Sequence, residues 1–471
     1  MAFNLFNFTL LSTLLLFNMN YPWINDLKYL LAEDELLIDS ASCIAYSYDN
    51  GRHQQIPAAV ALPREESQIF NLIHFCIKYR IPMTARGRGT GTPGGAVPSQ
   101  DGLVISFERM NKVIEFCPES RYITVEPGVL NQTVQNIAGE KNLFWGPDPS
   151  SQKYCTIGGN VAYNASGSHS LKYGSTRDNV LYLEAITGSG MRIKTGAPVS
   201  KSAAGYDLTR LLIGSEGTLA LFTKICLKLL TKPESNLLFQ VWYQNEYQAA
   251  EFIPEIMQQP LPISALEFMD KNSLQLLRKH SNLSIPQDAE ALLLIEIDGF
   301  TESLNLLSQN LEKFFPSALA IEINKDKEKA WQARKLLSPI LRQLAPYKIN
   351  EDIVIPLREI NLFLREVKNI TEHYQILNVN FGHAGNGNLH VNLLLDDLAQ
   401  LKKAEFCLQE IFSLVIKLNG MISGEHGIGL EKKSFLNQAF SKETIELMQQ
   451  IKQQFDPYHL LNPEKLLSNY E

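Results

Sequence analysis

The stretch RGRGTGTPGGAVP, residues 86–98, decides the fold of this chain. A short apolar segment, 81–85, precedes it and is predicted as a strand. The glycines fit the GxGxxG pattern of a Rossmann site. However, Pro93 and Pro98 break the helix that such a site must open, and no convincing acidic residue ends a strand about twenty residues later. What remains is a run of small residues whose backbone N–H groups can converge on an anion such as a pyrophosphate.

Two further glycine-rich stretches indicate that a ligand lies across backbone. They are GPDPSSQKYCTIGGNVAYNASGSHSLKYG, residues 146–174, and GYDLTRLLIGSEGTLALFTK, residues 205–224. A long loop-rich segment is unusual inside a compact domain unless it lines a binding site. Three such segments favour a large, extended ligand. A turn-rich β-structure without a ligand is the alternative.

Periodicity divides the chain into two regions. Before the Lys232-Pro233 boundary, strands and helices alternate with the glycine-rich loops. There we predict helices over 63–80 and 127–138 and strands over 102–106, 113–116, 122–126, 180–186 and 191–195, the last two forming a hairpin. After the boundary the order is strand-helix-strand twice over, the pattern of a ferredoxin-like sheet. The predicted segments are 238–242, 248–257, 264–269, 291–297, 304–315 and 318–323. A final helix is expected after Ser441, its N-cap.

Three of the nine histidines fall in two short stretches, GHAGNGNLH (382–390) and SGEHGIGLEKK (423–433). The candidate ligands are His383, His390 and Glu425, with His426 next to the glutamate. A strand predicted over 389–395 lets the second histidine point back toward the first. Two imidazoles and a carboxylate are a common ligand set for a divalent transition ion with open positions. Histidines that only hydrogen-bond within structured loops are the alternative, which we consider weaker for the whole set.

The bulk composition is that of an ordinary globular enzyme. The 471 residues, 45% hydrophobic and 20% charged, suffice for two or three domains. A net charge of −7 without a basic block argues against nucleic acid as a partner. An acidic substrate would therefore need a local cation, either a metal or an arginine.

Cysteine use and the N-terminus bear on location. Six scattered cysteines without a CxxC motif are typical of a reduced, intracellular protein, so we expect a cytoplasmic location. The apolar segment 3–17 is too short to span a bilayer and lacks the basic start and cleavage site of a signal peptide. We interpret residues 1–18 as an extension or a mis-set start, with peripheral attachment at the inner face of a membrane as the alternative.

In its glycine-rich and histidine-containing stretches the chain resembles the FAD-linked oxidases of the vanillyl-alcohol-oxidase superfamily. The resemblance is to the branch that holds the flavin subunit of glycolate oxidase, D-lactate dehydrogenase and D-2-hydroxyglutarate dehydrogenase. It runs from about residue 40 to the C-terminus through five ordered motifs: RGRGTGTPGGAVP, GPDPSS with TIGGNVAYNASG, LKYGSTRDNV, IGSEGTLA, and GHAGNGNLH with SGEHG.

The resemblance implies an α+β fold, with a two-lobed FAD-binding domain of the p-cresol-methylhydroxylase (PCMH) type and a ferredoxin-like cap. The C-terminal helices would return to the FAD domain. The expected parts are an N-terminal extension and first helix (1–40), the FAD-binding domain (41–232), the cap (233–420) and a C-terminal segment (421–471).

The resemblance also implies roles for particular residues. The pyrophosphate would be wrapped by Arg86, Gly87, Arg88, Gly89, Thr90 and Gly91. The flavin side would be contacted by Asp148, Gly158, Gly159 and Asn160, with Glu216 and Gly217 nearby. The metal (Zn, Mn or Fe) would be held by His383, His390 and Glu425, with His426 as catalytic base. The substrate would contact Asn392 and, through its carboxylate, Arg334.

Three departures from the family pattern matter. Arg88 stands where a small residue is more usual, and the C-terminal NPGK pattern has Glu464 in place of its glycine. A lysine that clamps the second carboxylate in the hydroxyglutarate enzymes is replaced by Asn350, while Lys348 lies two positions away. This substitution favours glycolate or D-lactate over a dicarboxylate.

The implied activity is oxidation of a 2-hydroxy acid by non-covalent FAD. The expected partners are the substrate and an electron acceptor: a quinone, a flavoprotein carrier, a cytochrome or an iron–sulfur subunit. A homodimer is left open. The alternatives are a D-2-hydroxyglutarate dehydrogenase, the flavin subunit of a glycolate oxidase complex, a metal-dependent hydrolase and a non-catalytic flavin subunit.

Overall fold

The computed structural model describes residues 21–310, 313–315, 317–324, 327–345 and 347–467. The segment 3–17 lies outside these residues, so its interpretation stays a prediction. Within the described part of the chain, no helix is long and apolar enough to cross a membrane. All six cysteines lie in that part, and none of them is in a disulfide.

A small sheet near the N-terminus carries the glycine loop 86–98. Its strands are β1 Leu36–Leu37, β2 Ala59–Ala61, β3 Met83–Arg86 and β4 Leu103–Ser106, accompanied by helices α1 Trp23–Leu27, α2 Ser40–Ile44 and α3 Glu66–Tyr79. The strand order is β1-β2-β4-β3, with β4 parallel to both of its neighbours. The predicted helix over 63–80 is confirmed as α3, whose apolar stripe packs against the sheet. It ends at Arg80, which adopts a left-handed conformation with φ 56°.

A second, antiparallel sheet carries the other two glycine-rich stretches. Its strands run in the order β5-β6-β10-β8-β9, and a separate pair joins β7 to β11. The strands are β5 Val113–Cys117, β6 Tyr122–Val125, β7 Leu143–Phe144, β8 Val180–Thr187, β9 Arg192–Lys194, β10 Ala220–Lys228 and β11 Leu230–Thr231. The helices are α4 Asn131–Gly139, α5 Ile157–Tyr163, α6 Ser170–Tyr173 and α7 Leu208–Leu212. The predicted hairpin is confirmed as β8 and β9.

The start of one predicted helix was wrong in this region. The helix predicted over 127–138 begins only at Asn131. Gly128 lies against the turn that follows β4, and a Cβ atom there would be 2.0 Å from the carbonyl oxygen of Phe107. The backbone before Asn131 is therefore held in a close turn and cannot open the helix.

A seven-stranded antiparallel sheet forms the third layer. Its strands are β12 Ser235–Tyr243, β13 Ile263–Met269, β14 Ala291–Gly299, β15 Ala320–Asn324, β16 Tyr347–Val354, β17 Leu377–Gly382 and β18 Asn388–Leu395. The helices are α8 Glu246–Met257, α9 Lys271–His280, α10 Thr301–Ser308, α11 Lys327–Leu344, α12 Ile360–His373 and α13 Leu401–Lys417. The order β15-β12-β14-β13 confirms the ferredoxin-like arrangement, which β17-β18-β16 extend. The helix predicted over 304–315 is found in part as α10, which begins at Thr301, and residues 311–312 of that prediction lie outside the described residues.

The two faces of the third sheet differ in chemistry because successive side chains alternate. One face is apolar and packs against α8, α10, α12 and α13. The other face packs partly against α9 and α11. On this second face, which we call the polar face, lie Glu267, Glu296, Asp352, His390 and Asn392.

The C-terminal segment returns to the first two sheets. Its helices are α14 Leu436–Ala439 and α15 Lys442–Phe455. The predicted N-cap is confirmed, since Ser441 Oγ accepts the Thr444 N–H at 3.3 Å. Ile451 and Phe455 pack against the core of the second sheet, and Leu461 is buried in the core of the first. This path carries the loop 423–429 between the polar face and the glycine-rich loops.

Candidate active site

Two histidines and a carboxylate meet at the polar face. His383 directly follows β17, His390 lies in β18, and Glu425 lies in the loop 423–429. One ligand atom from each residue can be chosen so that all of them lie within 4.8 Å of one another. β17 and β18 are antiparallel neighbours with Phe381 opposite His390, so the short turn between them returns the second histidine to the first. The structure thus brings together the three predicted metal ligands, whose role stays a prediction.

Gly387 makes the turn between these strands possible. Its φ is 72°, in the left-handed region. A Cβ atom there would lie 1.9 Å from the carbonyl oxygen of Ile355. A residue with a side chain would therefore force the turn apart, which explains the glycine in the Gly-Asn-Gly-Asn sequence.

Buried neighbours set the charges of the three side chains. Burial opposes the charged form of His383, but Glu267 outweighs it and raises the pKa of His383 to about 10. Burial lowers the pKa of His390 to about 3. Burial opposes ionisation of Glu425 as well, yet the imidazoles nearby hold its pKa at about 2. A divalent cation would thus meet an ionised carboxylate and a neutral His390, and it would displace a proton from His383.

A serine from the second glycine-rich stretch orients Glu425. Ser166 Oγ donates to Glu425 Oε2 at 3.0 Å. The other oxygen, Oε1, lies 3.7 Å from His383 Nε2, 3.6 Å from His390 Nε2 and 3.8 Å from His426 Nε2. One oxygen is therefore fixed by the stretch 146–174 while the other faces the imidazoles.

Two buried carboxylates hold the loop 423–429 from opposite sides. Asp352 Oδ2 accepts the backbone N–H groups of residues 424–426 at 2.8, 2.8 and 3.0 Å. Glu216 accepts those of residues 428–429, each at 2.7 Å. Burial raises the pKa of Glu216 to about 7. Although burial acts in the opposite direction, nearby positive charges and the N–H groups hold the pKa of Asp352 well below its usual range.

The predicted base and the predicted substrate residues lie around this cluster. The ring of His426 stacks on that of His390, with centroids 5.5 Å apart. Arg334, from α11, donates through Nε to Glu267 at 2.8 Å and places its guanidinium over the Phe381 ring, 4.5 Å from the centroid. Asn392 is fully buried, and its amide donates to backbone carbonyls. Its Oδ1 has no hydrogen-bond partner among the described residues, so only that oxygen is left for a substrate.

A cleft beside the cluster gathers nearly all of the predicted cofactor residues. They are Arg86, Gly87, Arg88, Gly89, Thr90, Gly91, Gly158, Gly159, Asn160, Glu216 and Gly217. Glu425 and His426 line the same cleft. Asp148 is not among its lining residues, because its carboxylate turns to His169 and accepts from Nδ1 at 2.5 Å.

The two arginines of the glycine loop differ in burial and in the groups that they contact. The Arg86 guanidinium is buried and donates to the carbonyl oxygens of Ala45, Tyr48 and Ala96. It therefore braces the loop, which leaves its backbone to face a ligand. Arg88 is exposed at the cleft and is the cation there that an anionic ligand would meet first.

Unpaired polar atoms indicate that the cleft accepts a polar ligand. Asn160 Nδ2 and Tyr163 Oη are buried and have no hydrogen-bond partner among the described residues, and both residues line the cleft. A Cβ atom on Gly95 would lie 1.3 Å from Tyr163 Oη, so only glycine leaves room for the phenol. The glycine-lined walls and these orphaned groups fit an extended cofactor such as FAD.

The sequence alone did not identify Glu267, Asp352, Ser166 or Tyr163. Glu267 and Asp352 each stand in a strand among apolar residues, ISALEFM and DIVIP, where an acid needs a partner. That local signal was available. Their partners lie far along the chain and come from strand pairing, which the sequence pattern does not specify.

Comparison with known families decides the classification. Residues 57–196 match the FAD binding domain family, and residues 232–466 match the family of FAD linked oxidases, C-terminal domain. The chain belongs to the FAD-linked oxidase family. It is therefore an FAD-linked oxidoreductase, and the alternative interpretation as a metal-dependent hydrolase is rejected.

Relatives of known name cover almost the whole chain. The glycolate oxidase subunit GlcD of Bacillus subtilis strain 168 is 37% identical over 437 residues, which are 91% of this chain and 93% of that protein. A D-lactate dehydrogenase of Anaerostipes hadrus is 31% identical over 93% of this chain and 94% of its own. A D-2-hydroxyglutarate dehydrogenase of Stutzerimonas stutzeri strain A1501 is 30% identical, with coverage of 94% and 98%.

The fold prediction is confirmed by a solved structure. The p-cresol methylhydroxylase structure with substrate bound superimposes with a TM-score of 0.77 at 17% sequence identity. The match covers 94% of this chain and 96% of that one. The PCMH-type fold of the FAD-linked oxidases is therefore present, while the domain boundaries stay predictions.

Proposed function

We propose that this chain is a dehydrogenase that oxidises a small 2-hydroxy acid, glycolate or D-lactate, to the 2-oxo acid. The observation that carries the proposal is that Glu425 and His426 line the cleft of the glycine loop, so that the His/His/Glu cluster adjoins the cofactor cleft. The substrate class follows from the relatives, which are named glycolate oxidase subunit, D-lactate dehydrogenase and D-2-hydroxyglutarate dehydrogenase.

Non-covalent FAD fits the cleft. The backbone of residues 86–91, with Arg88, would hold the pyrophosphate, while Asn160 and Tyr163 would gain partners for their orphaned polar atoms. When bound, FAD supplies the two-electron acceptor of the reaction.

A divalent Zn, Mn or Fe ion fits His383, His390 and Glu425. When bound, the ion supplies a Lewis acid for the substrate hydroxyl and carboxylate. The fit rests on the donor set and on the ionised Glu425, whose pKa of about 2 leaves it charged at neutral pH.

The side chains around this cluster have distinct tasks in the proposed reaction. Arg334 would pair with the substrate carboxylate, since its guanidinium is fixed by Glu267 and Phe381 beside the cluster. His426 would accept the hydroxyl proton, because its Nε2 lies near Glu425 Oε1, the oxygen that also faces Nε2 of His383 and of His390. Asn392 would be a polar contact of the substrate, with its unpaired Oδ1 facing the site.

One observation keeps D-2-hydroxyglutarate as the second candidate. Lys348, Asn350 and Asp352 alternate along β16, and Asn350 pairs with Asn392. Lys348 therefore lies on the polar face, two residues beyond the asparagine that replaces the expected lysine. Burial, together with Arg342, lowers the pKa of Lys348 to about 8. It would still carry most of its charge at neutral pH for a second carboxylate.

The electron acceptor is proposed by class. A quinone, a flavoprotein carrier, a cytochrome or an iron–sulfur subunit would take the electrons, and the name of the Bacillus subtilis relative supports a subunit of a larger complex. We propose a cytoplasmic location from the six unpaired cysteines.

An anaerobic absorbance titration tests the proposed function. The purified protein is reduced in separate experiments with glycolate, D-lactate, L-lactate and D-2-hydroxyglutarate. Bleaching of the visible flavin band by glycolate or D-lactate is the expected result, and bleaching by D-2-hydroxyglutarate alone would select the second candidate. A flavoprotein that none of these acids bleaches would contradict the proposed substrate class.

A further inference from the structure

One buried carboxylate on the polar face joins a predicted metal ligand to the predicted substrate arginine. Glu267, on β13, is fully buried. Its Oε1 lies 2.5 Å from His383 Nδ1, and its Oε2 accepts from Arg334 Nε at 2.8 Å. Each oxygen of a single carboxylate thus holds a different member of the site.

The contact with His383 fixes which ring nitrogen can bind an ion. A carboxylate oxygen accepts a hydrogen bond, so Nδ1 keeps its proton when an ion displaces the proton of Nε2. Nε2 is then left with its lone pair, and this is the nitrogen that faces Glu425, at 3.7 Å. Ser168 Oγ also approaches Nδ1, but at 3.4 Å, which is a longer and weaker contact.

The contact with Arg334 fixes the direction of the guanidinium. Glu267 accepts from Nε, and the guanidinium lies over the Phe381 ring. Among the described residues, Glu267 is the one that accepts a hydrogen bond from this side chain. The terminal N–H groups can therefore serve a carboxylate.

We propose that Glu267 is a positioning residue that couples metal binding at His383 to substrate binding at Arg334. This inference rests on the proposed function, because it assumes an ion at His383, His390 and Glu425. The coupling follows from the number of acceptor atoms. A carboxylate can accept from His383 and from Arg334 at the same time, one on each oxygen, whereas a carboxamide has a single oxygen that accepts.

The isosteric substitution Glu267→Gln tests the proposal because it removes one of the two acceptor oxygens. The guanidinium is always charged and makes the stronger hydrogen bond, so the amide oxygen will turn to Arg334. The amide NH₂ group then donates to His383 Nδ1, which forces the proton onto Nε2, the nitrogen needed by the ion. Mn²⁺ affinity should fall about 10–100-fold, as for other residues that orient a metal ligand.

The measurement uses the full-length, FAD-loaded protein after removal of metal by a chelator. Free Mn²⁺ is followed by electron paramagnetic resonance during titration, so the readout does not depend on turnover. Glu296→Gln is the matched control, because Glu296 is a buried acid on the neighbouring strand that contacts Asn236, His169 and Trp331. The control should bind Mn²⁺ as the wild type does.

A double-mutant cycle with Arg334→Ala separates positioning from a general structural defect. Arg334→Ala alone removes a nearby positive charge and should tighten Mn²⁺ binding. Without the arginine, the amide oxygen of the substituted side chain is free to accept from His383 Nδ1, so Glu267→Gln should cost little in that background. An equal loss of affinity in both backgrounds, or no loss in the Glu267→Gln variant, would overturn the proposal.

Two further variants keep the proposal testable. If Glu267→Gln does not fold, Glu267→Asp takes its place in the cycle: it keeps both oxygens but withdraws them by one methylene. It should also bind Mn²⁺ more weakly, and unchanged binding would overturn the proposal. If wild-type protein binds no Mn²⁺ that His390→Ala abolishes, the proposed metal site itself fails, which is distinct from a failure of the coupling.

Discussion

His426 is the residue on which the proposed proton transfer depends. Its Nε2 lies 3.8 Å from Glu425 Oε1, and its ring is stacked on His390. His426→Ala should lower turnover by about 10²–10⁴-fold, the usual contribution of a general base, while FAD stays bound. Stopped-flow reduction of the flavin by substrate measures this directly. His280→Ala, an exposed histidine at the end of α9, is the matched control. Flavin reduction near the wild-type rate in His426→Ala would refute the assignment.

At the scale of single residues, the sequence alone established proximity only for residues that are close together in the chain. His383 and His390 flank one turn, and the glycines of residues 86–91 form one loop, so their proximity needs no knowledge of the fold. Glu267 is different, because it reaches His383 only through the pairing of β13 with β17. Such long-range pairing is set by the register of the whole sheet, which a single sequence does not reveal.

The loop 423–429 is the element that joins the cluster of His383, His390 and Glu425 to the cleft of the glycine loop. Asp352, on β16, holds it through three consecutive backbone N–H groups. Asp352→Asn keeps the size of the side chain but turns an NH₂ group toward either these donors or Asn388. Leaving buried donors unsatisfied should lower the free energy of unfolding by about 1–3 kcal/mol. Urea unfolding measures this loss.

A matched substitution at the other end of the loop controls for the loss of a buried acid. Glu216→Gln alters the carboxylate that holds the other end of the same loop, where residues 428–429 donate. It should loosen the loop at residues 428–429, whereas Asp352→Asn should weaken Mn²⁺ retention as well, because Asp352 accepts the N–H of Glu425, a proposed metal ligand. Equal Mn²⁺ retention in the two variants would contradict this division.

At the scale of elements, the alternation of strands and helices predicted the ferredoxin-like order, but not its extension. The prediction covered β12 to β15, and the structure adds β17, β18 and β16 to the same sheet. β18 was predicted as a strand from residues 389–395. Its place between β16 and β17 could not be predicted, since sequence periodicity carries no information on which strands become neighbours.

The contact between the FAD-binding part and the third sheet includes an apolar side chain, Leu171, and a set of charged groups around His169. Its ring contacts Asp148 through Nδ1 at 2.5 Å and Glu296, on β14, through Nε2 at 3.3 Å. Burial opposes the charge, but the two carboxylates outweigh it and raise the pKa of His169 to about 10. Lys172 and Tyr173 extend the contact by binding Asp298. The whole molecule is therefore joined partly by charges that depend on pH.

This charge predicts how the stability of the whole molecule changes with pH. The folded-state pKa of His169 lies above the unfolded value near 6.5, so its contribution is complete below about pH 6.5 and is lost as the pH rises through about 10. His169→Gln should therefore melt below the wild type at about pH 6.5, and the gap in Tm should close as the pH rises past about 10. Differential scanning calorimetry across this range measures the gap, with the exposed His280→Gln as control. A gap that stays constant with pH would mean that His169 holds the two parts together by packing alone.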